Sequence, residues 1–134
     1  MTYTQNLGST PANLGEREVY ENTSIPISRL LDVTIAAGRG HYLEKLTFRK
    51  CLIHGPGVIV ADPETRFNEC DLGDVKGDIR NLFLIAAGPR ITGGIFLKGC
   101  LFENCVFRQV GFVGSQNYVD DMIRELTTAR RAAS

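Results

Sequence analysis

The 134-residue chain carries 15 Lys or Arg against 15 Asp or Glu, a formal net charge of +0. That balance removes the long-range field on which a dedicated DNA or anionic-membrane binder depends. With 43% hydrophobic and 22% charged residues the chain is not of the disordered class, and its length suits one hydrophobic core.

Residues 1–18 are polar, show no apolar period and read as a flexible N-terminal arm. They lack the basic and apolar regions of a secretory signal, and no window approaches 18 uncharged apolar residues. A soluble cytoplasmic protein without membrane contact is therefore expected. The stretch IPISRLLDVTIAAG, residues 25–38, is β-branched and apolar enough for strands. Its last four residues, Ile35-Ala36-Ala37-Gly38, recur as Ile85-Ala86-Ala87-Gly88, and each copy precedes by some fifteen residues a cysteine with apolar neighbours, in TFRKCLI and FLKGCLF. VIVAD, LFLIAAG and ITGGIFL read as conventional strands.

All four cysteines share one setting: a large apolar residue, two variable residues, Cys, one variable residue, then an apolar residue. The instances are Phe48/Cys51/Ile53, Phe67/Cys70/Leu72, Leu97/Cys100/Phe102 and Phe102/Cys105/Phe107. From residue 97 a large apolar residue then falls at every fifth position, at Leu97, Phe102, Phe107 and Phe112. At about 100° per residue these positions would march around a helix, and their odd spacing would alternate faces on a flat strand. A coil that turns a corner after each five-residue unit keeps them all on one axis. Cys100, Cys105 and Val110 then fill the space beside the ring two positions later, and Lys98, Glu103, Asn104, Arg108 and Gln109 face water.

Phe48 and Phe67, Cys51 and Cys70, and Ile53 and Leu72 are each 19 positions apart, close to one four-sided turn, so they are expected to stack on one another. Cys70 to Cys100 is 30, which calls for an insertion at 73–81 or in AAGPRITGG. Beyond residue 114 the period changes to that of a helix, with Tyr118, Val119, Met122, Ile123 and Leu126 on one face. Ser115 or Asn117 can cap it, and Asp120, Asp121, Arg130 and Arg131 suit its dipole.

The residues of 95–114, and those of 46–53 and 65–73 less cleanly, resemble the pentapeptide-repeat family. The resemblance implies a right-handed quadrilateral β-helix with Leu or Phe inward and a small residue two positions earlier. The expected fold is thus an all-β solenoid, a short right-handed parallel β-helix over 19–114, followed by an amphipathic α-helix over 115–131. Some members of the family mimic duplex DNA with strongly acidic surfaces, a feature a chain of net charge +0 lacks.

As thiolate ligands the cysteines lack the two-to-four-residue pairing and turn setting of zinc sites, and as nucleophiles they lack an adjacent base. They read as small hydrophobes of the core, with no metal, cofactor or catalytic residue expected. His41 and His54 flank glycines, and a solenoid turn can bring His54 to Asp71 or Asp74, but exposed turn histidines are the simpler reading. The GRG, GPG, GPR and TGG groups read as corners that need positive φ rather than phosphate cradles. The basic residues Arg39, Lys45, Arg49, Arg124, Arg130 and Arg131 are interleaved with acids and read as solvated surface, so nucleic acid is not an expected partner.

These features point to a non-enzymatic protein-interaction or scaffolding module that forms a homo-oligomer and binds a protein partner. The helix face Tyr118, Val119, Met122, Ile123 and Leu126 serves as cap or oligomer interface. The alternative is a binder of a small anionic or nucleotide-like molecule at chain interfaces, through Arg39, His41, His54 and Arg90.

Overall fold

A computed structural model of the chain describes residues 10–73, 79–87 and 94–133, the side chains of residues 79 and 126–133 excepted. Its strands are β1 (Val19–Glu21), β2 (Ser24–Pro26), β3 (Leu43–Glu44), β4 (Thr47–Arg49), β5 (Leu52–Ala61), β6 (Arg66–Asn68), β7 (Phe83–Ile85), β8 (Ile95–Lys98), β9 (Leu101–Glu103) and β10 (Val106–Gly114). Two helices, α1 (Ile27–Ala36) and α2 (Gln116–Ala133), and a 3₁₀ turn at Ile79–Leu82 complete it. The strands form two parallel sheets, one ordered β1-β4-β9-β6, the other β3-β8-β5-β10-β7 with β2 also on β5.

This architecture is mixed α/β, and it overturns the expected all-β solenoid on two counts. First, residues 27–36 are helical rather than extended. Ile27, Leu30 and Thr34 recur at helical spacing and are the buried face of α1, while Ser28, Arg29 and Asp32 fall between them. The β-branched content of the stretch concealed that period. Gly38, at φ +75°, ends the helix: its N–H bonds Ile35 O at 3.0 Å and the Arg39 N–H bonds Thr34 O at 3.1 Å. This pair of bonds closes the last turn and needs a left-handed residue between helix and exit.

Second, the layers do not follow one another in chain order, as the coils of a solenoid would. β9 lies between β4 and β6, with Phe102 opposite both Phe48 and Phe67. β10 lies between β5 and β7, and β8 between β3 and the end of β5. Residues 95–114 thus form a middle layer inserted between two layers that precede them in the chain. Phe48 and Phe67 do not stack on one another. The rings run Tyr20, Phe48, Phe102, Phe67 at centroid separations of 5.5, 4.8 and 5.1 Å with planes within 12°.

Leu97, Phe102, Phe107 and Phe112 share one core and are essentially inaccessible to solvent. Burying such a ring stabilises the fold by roughly 1.5–3 kcal/mol relative to leaving it exposed. Each five-residue side is ended by a residue in the left-handed region: Asn22, Lys45, Lys50, Glu69, Gly99, Asn104 and Gln109, with φ between 52° and 60°. Every one immediately precedes the small or apolar inward residue of the next side (Thr23, Leu46, Cys51, Cys70, Cys100, Cys105, Val110). Most corners are therefore not the glycines the sequence singled out. Gly55 serves a close approach instead: a Cβ there would lie 2.1 Å from Gln109 O, where β5 and β10 bend together.

Cys70 and Cys100 occupy different columns, so their 30-residue separation reports no insertion between stacked positions. Of the nominated insertions, residues 74–78 and 88–93 lie outside the described residues. Residues 10–18, expected as arm, include Leu14, which packs on the core, and Gly15, whose N–H donates to Tyr20 Oη at 2.8 Å. Residues 1–9 lie outside the described residues.

The two helices close opposite ends of this stack. α1 follows β2 and packs on β2 and β5, whereas α2 packs on β7, β10 and the 3₁₀ turn. Ser115 caps α2, its Oγ accepting the Tyr118 N–H at 3.2 Å. Val119 is buried, and Tyr118, Met122 and Ile123 are partly buried against the chain's own core.

Candidate functional site

Of the four residues nominated as ligand contacts, three are described, and no hydrogen bond or pocket brings Arg39, His41 and His54 together. Arg39 follows α1 and its Nη1 donates to the Gly15 carbonyl, tying the 10–18 segment to the helix end. His41 is exposed, and His54 is half-buried on β5 in register with Pro26 and Arg108. Arg90 and Asp74 lie outside the described residues. The His54–Asp71 pair that a solenoid turn could have made does not form, because β10 runs between them: Arg108 stands opposite His54 and reaches Asp71 Oδ2 at 3.8 Å.

Arg39 borders a cleft of about 400 Å³ at the α1 end, within the size range of ligand pockets. Its walls include Tyr20, Leu30 and Tyr42, and its charged rim is Glu16, Arg17, Glu18, Arg39 and Glu44. Three acids against two bases, one of them already engaged, do not favour an anion.

The outer face of the four-stranded sheet is polar. Glu21, Arg49 and Glu103 stand side by side across β1, β4 and β9, with Arg49 at 3.5 Å from Glu21 and 3.0 Å from Glu103. Arg49 is thus neutralised in a surface row by acids distant from it in the sequence, not by the interleaved Glu44. Such an exposed ion-pair row contributes little to stability.

Apolar surface gathers elsewhere. At the α2 end, Leu84 and Ile85 of β7 are 56% and 51% exposed, the highest values among the large hydrophobic residues described. β7 is an edge strand, hydrogen-bonded to β10 alone among the described strands. A second patch joins Phe96 and Val60, adjacent across β8 and β5, to Tyr42, whose ring lies 4.7 Å beneath Lys98 Nζ. The helix residues nominated as cap or interface divide: Tyr118, Val119, Met122 and Ile123 face their own chain, and the Leu126 side chain lies outside the described residues. Tyr118 Oη is buried without a hydrogen-bond partner among them, and burial, with Glu125 nearby, pushes its ionisation up to about 12.

The cysteines form the most regular chemical feature. Cys51, Cys105 and Cys70 occupy equivalent corners of three adjacent layers, flanked by the Phe48–Phe102–Phe67 rings on one side and by Leu52, Val106 and Asp71 on the other. Each thiol points at a carbonyl of the neighbouring layer, Cys51 to Tyr20 O, Cys105 to Phe48 O and Cys70 to Phe102 O, all at 3.3 Å. Cys100 makes the same contact with Leu43 O at 3.4 Å, but in a separate column between Leu46 and Thr65. The slot was readable in the sequence as a place for a small residue. The 19-residue spacing also put Cys51 and Cys70 in one column, but that Cys105 stands between them was not readable, since it depends on the out-of-order layer.

All four cysteines are free thiols. Hydrogen bonding from Cys105 outweighs burial and holds the Cys51 and Cys70 thiols below their ordinary ionisation. The same contacts, with Cys51 first and Cys70 second, and then burial, push Cys105 up. Burial pushes Cys100 up. Among the described residues no group of three or more His, Cys, Asp or Glu side chains is arranged to hold a metal ion, and no helix is long and apolar enough to cross a membrane. Comparison of the chain with models of protein families, with curated proteins and with solved structures finds no match.

Proposed function

We propose that the protein is a non-enzymatic interaction module that associates with itself, two copies meeting at the β7 edge. The observation that carries this reading is the coincidence, on one short strand, of an edge that is unpaired among the described strands and two apolar side chains that stay more than half exposed although α2 packs on the same strand. Such an edge is a template for pairing with another chain, and natural proteins ordinarily blunt it with charge, proline or a covering element. A second copy is the favoured occupant because a chain of net charge +0 meets itself without long-range repulsion. The charged row on the four-stranded sheet, by contrast, keeps that face in water.

Sedimentation velocity over a wide concentration range tests it. Wild-type protein should shift to a faster species with concentration, and a Leu84→Lys, Ile85→Glu variant should stay at the monomer value with an unchanged circular dichroism spectrum. Wild-type protein that sediments as a monomer throughout overturns self-association and leaves the edge to a different protein.

The alternative, a small anionic or nucleotide-like ligand, finds less support. The cleft beside Arg39 includes neither His41 nor His54 and has an acidic excess on its rim. Stabilisation by nucleotides in a thermal-shift series, abolished by Arg39→Ala, would favour that alternative.

A further inference from the structure

We infer that Cys70 and Cys105 form a reversible oxidation site for hydroperoxides, in which the partly buried Cys70 reacts first and Cys105 closes a disulfide onto it. The two thiols stand at the same register on neighbouring strands. Asp71 N–H bonds Cys105 O at 2.9 Å and Phe107 N–H bonds Asp71 O at 2.8 Å, so the two backbones are one strand spacing apart, about 4.8 Å. That lies within the Cα separation of about 4.4–6.8 Å that a disulfide spans. Both thiols point the same way along the stack, Cys70 to Phe102 O and Cys105 to Phe48 O, each at 3.3 Å.

Access sets the order of reaction. Cys51, Cys100 and Cys105 are each 1% exposed, whereas Cys70 reaches the surface at the outer side of the column. Access is what makes a cysteine an oxidant's target, and Cys70 is the most accessible of the four, with its ionisation held below the ordinary thiol value. Cys100 shares the layer of Cys105 but has Thr65 and Leu46 as column neighbours, so it has no thiol to resolve onto.

The chemistry balances with the hydroperoxide as sole oxidant. The Cys70 thiolate attacks a peroxide oxygen and keeps its hydroxyl group: an S–O bond forms as the O–O bond breaks, and the departing alkoxide or hydroxide takes up the proton that the Cys70 thiol released and leaves as alcohol or water. Cys105 sulfur then displaces the hydroxyl group: the S–S bond forms, the S–O bond breaks, and the Cys105 proton departs with hydroxide as water. The two cysteines together lose two electrons, which the peroxide takes up. An external dithiol returns both to thiols by exchange. The disulfide ties the middle layer to its outer neighbour, so the oxidised chain should unfold at higher temperature than the reduced one.

The test treats the full chain with equimolar hydrogen peroxide, alkylates the remaining thiols and maps the peptides by mass. Cleavage after Glu69 and Glu103 as well as at Lys and Arg separates all four cysteines. The expected product is a peptide linking Cys70 to Cys105, lost on reduction, with Cys51 and Cys100 alkylated. Cys105→Ser should leave Cys70 as a sulfenic acid trapped by a 1,3-dione, and Cys51→Ala should leave the link intact. The inference is overturned if Cys70 is oxidised no faster than Cys100, if it proceeds to sulfinic acid in wild-type protein without a link, or if the linked partner is Cys51 or a second chain. Because self-association is read by sedimentation of the reduced protein, failure of one reading is distinguishable from failure of the other.

Discussion

The middle layer, residues 95–114, and the outer layer that ends at Cys70 use the same five-residue grammar but live in different surroundings. Phe102 is stacked on both faces, by Phe48 and by Phe67, and is inaccessible to solvent. Phe67 is stacked on one face and only partly buried. A residue packed on two faces tolerates few alternatives in size and shape, a constraint that Phe102 shares with Phe48, which lies between Tyr20 and Phe102. Phe67, at the end of the ring stack, is less constrained.

The sharpest way to break this contrast is to remove a ring from each layer. Phe102→Ala should destabilise by about 3–5 kcal/mol in urea unfolding, the range for a fully buried Phe, and Phe67→Ala by clearly less. Equal losses would mean that the two layers are equivalent. A smaller effect probes the corners. Lys50 and Asn104 hold the same left-handed conformation in adjacent layers, and Lys tolerates it worse than Asn. Lys50→Gly should raise the unfolding free energy by roughly 1 kcal/mol, whereas Asn104→Gly should change it by less.

The smallest effect concerns a tie between the layers. Asp62 Oδ1 accepts the Thr65 N–H at 3.0 Å, the Thr65 hydroxyl at 2.7 Å and, from the middle layer, the Gly99 N–H at 3.1 Å. Burial opposes its ionisation, but these bonds outweigh burial and hold the carboxyl below its ordinary range. A carboxyl whose ionisation is depressed by folding contributes stability that is present above its unfolded pKa, about 3.9, and is lost as pH falls through the folded value. Wild-type thermal stability should therefore fall below about pH 4 more steeply than that of Asp62→Asn, as read by melting temperature across pH.

The two copies of Ile-Ala-Ala show how far a local match can mislead. Residues 35–37 end helix α1, and residues 85–87 leave strand β7. The same side chains serve both because α1 presents Ile27, Leu30 and Thr34 to the core ahead of its copy, while Phe83 anchors β7 ahead of the other. The helical spacing that identifies α1 was visible at 27–34, masked by Val33, Thr34 and Ile35. The α2 face was read from Tyr118, Met122 and Ile123, whose neighbours carry no competing period. For the site, the thiol slots and the shared column of Cys51 and Cys70 were legible, but the place of Cys105 between them was not, and neither was the separation of His54 from Asp71 by an entire strand.

What the residues determined by themselves is the inward placement of Leu97, Phe102, Phe107 and Phe112, the small slot beside each ring, and a capped helix after Gly114. These depend on contacts within a few positions and on solvent exclusion, both of which leave a periodic trace. Only the tertiary structure decided which layer lies against which. Parallel layers built from the same units are nearly interchangeable in their hydrogen bonding, so Phe48 meets Phe102 rather than Phe67 through the summed fit of whole layers, a quantity no single stretch contains.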